Sequence, residues 1–127
     1  MDMLTHNLLM IAASKVATLV SISIGGLSTV NDSSTYQYTA TGTFNDSSTR
    51  NLSSSQYTTW SVTSGADYGS ISSSGLLTVY GVDATQTITI QASTTYGGVT
   101  VSNTLNVTVN KSADAYGPNV TLLISGL

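Results

Sequence analysis

The chain has 127 residues, of which 21 are Ser and 21 are Thr, against three basic residues, six Asp, no Glu and no Cys. A chain of this length removes roughly two thirds of its surface from water on folding, so one domain with one core needs no staples; the lack of Cys excludes a disulfide, a thiol nucleophile and any Cys-ligated metal. With a net charge of −3 and only Lys15, Arg50 and Lys111 as cations, a phosphate-tracking nucleic-acid surface is excluded and binding to an anionic membrane is disfavoured.

In chain order, residues 1–17 place Leu4, Leu8 and Ile11 at i, i+4 and i+7 behind Asp2, a candidate N-cap. The spacing predicts a short helix or arm with an apolar stripe that can pack on its own domain, dock on a neighbouring chain or stay a disordered arm. The apolar run from Leu8 to Ala13 is too short to span a bilayer. It lacks the basic lead of a secretory signal, so Met1 is expected to be retained.

From Leu19 the dominant period becomes two, with Ile22 and Ile24 alternating against Ser21 and Ser23 until Gly25-Gly26. A second strand is predicted through Tyr36, Tyr38, Ala40 and Phe44, closed by the Asn45-Asp46-Ser47-Ser48 turn. Further strands are expected around Trp60 and Val62, at Ile71, from Leu76 to Tyr80 after a turn at Gly75, from Thr87 to Ala92, and from Val99 to Val109, the last two joined by a hairpin at Tyr96-Gly97-Gly98. Seven short strands rich in β-branched residues, each with one polar face, predict an all-β, antiparallel sandwich over residues 18–110. Tyr38, Ala40, Trp60, Ile71, Leu77, Ile88, Ile90, Leu105 and Val107 are expected to face inward. Residues 111–127 read as a linker followed by an extra C-terminal strand, in which Val120, Leu122 and Ile124 can cover a home edge or pair with another molecule.

The inventory argues against chemistry. His6 is the only histidine and lies outside the strand-forming region, and no Gly-x-Ser-x-Gly elbow surrounds any serine. Asp32, Asp46, Asp67 and Asp83 fall in turns, with no insertion long enough to build a cleft for a carboxylate pair, and no Asp-x-Asp-x-Asp spacing supports calcium. No catalytic, cofactor-binding or metal residue is expected. Six of the seven tyrosines, all but Tyr38, fall at strand ends or loops, either as rim residues over sheet edges or as interface residues.

The stretch from about Leu19 to Asn110 resembles a bacterial immunoglobulin-like domain of group 2, the module of invasin- and intimin-type adhesins that also occurs in phage virion proteins. The resemblance rests on Tyr38-Thr-Ala40, Trp60-Ser61-Val62, Ile71-Ser-Ser-Ser-Gly75-Leu-Leu77-Thr and Ile88-Thr-Ile90-Gln-Ala92; Tyr68-Gly69-Ser70 departs from it, since the family usually places an Ala ahead of Ile71. It implies an immunoglobulin-like sandwich; that the chain is not an enzyme is expected from the residue inventory rather than from the resemblance, whose motifs are core and turn positions. The expected function is that of a bacteriophage virion component such as a capsid decoration protein, located on the virion; the alternatives are a cell-surface or adhesin module, or a subunit of an extracellular filament. Protein partners follow from either reading, through self-association as a homo-oligomer or on a capsid or filament surface, with Leu4, Leu8, Ile11, Val120, Leu122 and Ile124 as the interface.

Overall fold

The computed structural model describes residues 16–112. The six expected interface residues, Leu4, Leu8, Ile11, Val120, Leu122 and Ile124, and with them the N-terminal stripe and the extra C-terminal strand, lie outside the described residues. Within them the chain is all-β. Ten strands follow in order: β1 (Leu19–Gly25), β2 (Thr29–Asn31), β3 (Ser34–Gln37), β4 (Thr39–Phe44), β5 (Thr49–Asn51), β6 (Thr58–Ser64), β7 (Gly69–Ile71), β8 (Leu76–Val79), β9 (Gln86–Tyr96) and β10 (Val99–Asn110). They form a four-stranded sheet in the order β2-β10-β9-β6 and two three-stranded sheets, β1-β4-β5 and β3-β8-β7. Every pairing is antiparallel except that of β2 with β10, where Val30 lies opposite Val109 in parallel register. The arrangement is sandwich-like, with one shared core.

Alternation drives the long strands. In β9, Ile88, Ile90, Ala92 and Thr94 are buried while Thr87, Thr89, Gln91 and Ser93 turn toward solvent, the pattern of a sheet with one packed face. Full burial of a side chain such as Ile88 or Leu77 stabilises by about 1.5 to 3 kcal/mol. The one hydroxyl pair inside this layer is satisfied: Thr58 Oγ1 and Thr94 Oγ1 are 2.7 Å apart, and Thr58 Oγ1 donates to the Leu52 carbonyl at 2.6 Å. An unsatisfied buried hydroxyl would cost about 1 to 3 kcal/mol.

The single strand expected through Tyr36 and Phe44 is two strands that break at Tyr38. β3 pairs with β8, whereas β4 pairs with β1 and β5. The reason lies in Tyr38 itself, which is fully buried. Its amide donates to the Gly75 carbonyl at 2.8 Å and its hydroxyl to the Leu27 carbonyl at 2.6 Å, so the backbone leaves one ladder to seat the ring before joining the next. Burial, with a smaller contribution from Tyr36, pushes the Tyr38 hydroxyl up to about 12.

Two strands were not expected. β2 and β5 have three residues each, too few for alternation to register, and β5 exposes all three; tertiary pairing makes them strands. Of the nine residues expected inside, Tyr38, Ala40, Trp60, Leu77, Ile88, Ile90 and Val107 are buried, while Ile71 and Leu105 are half-buried against the core. Ile71 sits on β7 at a sheet edge, and Leu105 precedes the part of β10 that β2 covers.

Candidate interaction surfaces at the two poles

β10 fixes the long axis. Its 12 residues, at roughly 3.3 Å each, span roughly 40 Å, from the Gly97-Gly98 hairpin to the point where Asp32 N–H donates to the Asn110 carbonyl at 3.0 Å. Val16 and Ala17 line a cavity together with Tyr96 at the hairpin pole, whereas Ser112 is held beside Asp32 and Val82 at the other. The first and last described residues therefore sit at opposite poles.

At the hairpin pole, aromatic and basic groups converge from three strands and a loop. The Phe44 and Tyr96 rings meet edge to face with centroids 5.3 Å apart and planes at 83°, and Tyr57 tilts against Tyr96 at 5.4 Å. Arg50 lays its guanidinium carbon 5.3 Å from the Tyr96 ring centroid and donates from Nη1 to the Tyr96 hydroxyl, a cation–π contact that orients the group. Val16, Ala17, Phe44, Ser48, Thr49, Arg50 and Tyr96 line a cavity of about 300 Å³. The adjoining turn is tied by two hydrogen bonds: Asp46 Oδ1 accepts from the Ser48 amide at 3.0 Å and from the Ser48 hydroxyl at 2.5 Å. These two bonds hold the Asp46 carboxyl below its ordinary value. Beyond its being the sole Arg of the chain, nothing in the sequence marks Arg50 as part of a surface site, because its strand β5 carries no apolar pattern.

At the opposite pole, Asp32 is 6% exposed. Its Oδ1 accepts from the Ser112 amide at 3.0 Å and the Ser112 hydroxyl at 2.5 Å, and its Oδ2 from the Val82 amide at 2.9 Å. Three donors fill the carboxylate, which places Asp32 in a clip rather than in an open cation site. The Ser112 side-chain bond, the Val82 and Ser112 backbone bonds and nearby Lys111 hold its carboxyl below the ordinary value. A depressed carboxyl stabilises fully above its unfolded value of about 3.9 and loses that contribution as pH falls through the folded value. Urea midpoints measured from pH 6 downward should therefore fall for the native chain through the range below about pH 4. Asp32→Asn should be less stable at pH 6 and show a shallower acid loss. An unchanged acid slope in the variant would show that the clip does not couple to folding.

The remaining candidates are dispersed. Asp67 and Asp83 are exposed in loops at the Asp32 pole, and among the described residues no three His, Cys, Asp or Glu side chains gather to hold a metal. Trp60 is buried, with Nε1 donating to the Ser53 carbonyl at 3.2 Å, the role of a core residue. The tyrosines divide: Tyr36 pins β2 by accepting from the Asn31 amide and donating to its carbonyl, Tyr57 and Tyr96 build the hairpin pole, and Tyr80 at the other pole is 44% exposed. No described helix is long and apolar enough to cross a membrane, which leaves β-barrel insertion unaddressed. No family model matches the chain, and no curated protein matches it.

Proposed function

We propose that the chain is a non-enzymatic interaction module on an immunoglobulin-like sandwich of the bacterial group 2 kind, acting as a bacteriophage virion component such as a capsid decoration protein. The observation that carries this reading is the use made of the residues behind the sequence resemblance: Tyr38, Ala40, Trp60, Leu77, Ile88, Ile90 and Ala92 are all buried in one core, leaving function to surfaces and flanks. Strand order supports the immunoglobulin-like part. Outside the β2-β10-β9-β6 sheet, β1 pairs with β4 and, after the break at Tyr38, β3 pairs with β8 and β8 with β7, neighbours that suit the A-B and B-E-D strands of such a sandwich, with β5 added beside β4. The N-terminal helix, the C-terminal strand and homo-oligomerisation belong to the same proposal, with Leu4, Leu8 and Ile11 docking on the particle and Val120, Leu122 and Ile124 pairing with a neighbour.

A second reading, a module of a cell-surface adhesin or filament, draws on the opposite poles of Val16 and Ser112, because a domain entered at one end and left at the other suits a string of domains. Gold-labelled antibody raised against the purified protein, applied to lysates of the source culture, separates the two. Label on virions is the expected result; label on the cell envelope favours the second reading, and label on neither overturns both.

A further inference from the structure

We propose that copies of this chain contact one another head to tail, with the Tyr80–Asp83 loop of one copy seated in the Arg50 cavity of the next and the Asp83 carboxylate on the Arg50 guanidinium. The contact deepens the proposed function and rests on its premise that the protein works in an assembly.

The receiving side is the cavity of about 300 Å³ at the hairpin pole. Arg50 has five N–H donors in a planar fork; one goes to the Tyr96 hydroxyl, and the ring contact holds the fork in place. Among the described residues the partner of Arg50 is Tyr96 and not a carboxylate. The nearest turn acid, Asp46, is already occupied by Ser48. A second acceptor supplied from outside, able to take two parallel N–H bonds, matches what remains of the fork. Ser48 and Thr49 hydroxyls border the site, and Phe44 and Ala17 give it an apolar floor.

The inserting side is at the other pole. Val82 is buried and its amide is tied to Asp32, while the Tyr80 amide donates to the Tyr68 carbonyl at 2.8 Å. Anchored at these two points, the loop presents Tyr80, 44% exposed, and Asp83, which is also exposed. A fixed loop loses little entropy on docking, and a half-exposed Tyr beside a carboxylate is the kind of anchor that interfaces favour. The charges are complementary: this pole carries the exposed Asp67 and Asp83 near Asp32, with Lys111 close enough to lower the Asp32 carboxyl, whereas the receiving pole presents Arg50 with its one acid engaged. Because the two surfaces differ and lie at opposite ends, the contact is heterologous and repeats along a line or around a ring.

The test uses the full chain and three variants, Arg50→Asp, Asp83→Arg and the two combined, by sedimentation velocity across a concentration series. The native chain is expected to associate beyond its 13.1 kDa monomer in low salt and to dissociate in high salt, where the screening length shrinks to about 3 Å. Each single variant should associate at least ten-fold more weakly while still giving a single cooperative melt, that of Arg50→Asp lowered by the loss of its Tyr96 contact. A one-to-one mixture of the two singles should associate again, since every junction then joins opposite charges, and the combined variant should do the same. A monomeric native chain, single variants that associate as the native chain does, or a mixture that stays monomeric would each overturn the contact. Virions that still carry the antibody label after such a result leave the functional reading standing, so the two fail separately.

Discussion

Trp60→Ala is expected to lower stability by about 3 to 5 kcal/mol, the range for truncating a large core aromatic. Trp60 is 6% exposed on β6, whose outer neighbours Thr59 and Ser61 face solvent. Two costs combine. The ring leaves a cavity between β6 and the Gly75 turn, and the Ser53 carbonyl, which accepts the indole N–H at 3.2 Å, loses its donor. For a domain of about this size each kcal/mol moves Tm by about 4 to 8 °C, so a thermal melt should shift by roughly 12 to 40 °C. Thr59→Ala, one residue away on the exposed face, should stay within about 0.5 kcal/mol. Comparable losses in the two variants would mean that Trp60 does not organise the core.

The long strands were legible in the sequence because burial imposes a period of two on them, and Ile88, Ile90, Ala92 and Val107 all sit where alternation places them. What alternation cannot express is a strand that changes sheets. Tyr36, Tyr38 and Ala40 keep the period across the break, because side chains continue to alternate while the ladder partner changes from β8 to β1 and β5. The two poles were less legible still. Tyr57, Tyr96 and Phe44 are 13 to 52 residues apart and converge only after the sheets stack, and Asp32 meets Ser112 across 80 positions. Turn chemistry explains why an Asp stands near position 32 but says nothing of the distant amides that fill its carboxylate.

The same limit applies to glycine, whose turn role is readable in sequence while its crowding is not. Gly75 and Gly97 both have positive φ, 84° and 58°, so each suits glycine for the backbone reason. Their surroundings differ. A Cβ at Gly75 would lie 2.8 Å from the Tyr38 carbonyl oxygen, 3.0 Å from Trp60 Cε2 and 3.2 Å from Gln37 Nε2, whereas a Cβ at Gly97 meets nothing within 4 Å. The Tyr38 oxygen is backbone at the strand break and cannot swing aside, and the Trp60 ring is locked in the core. Gly75→Ala should therefore carry both the left-handed penalty of about 1 to 2 kcal/mol and an overpacking cost of about 1 to 3 kcal/mol, for a total of about 2 to 5 kcal/mol. Gly97→Ala should cost about 1 to 2 kcal/mol, from the backbone alone, and Gly97→Asn less, because Asn tolerates this region. Urea unfolding of the three variants checks the difference. Equal losses for Gly75→Ala and Gly97→Ala would show that the turn at Gly75 moves away from Tyr38 and Trp60 without cost, and that the strand break is not held from that side.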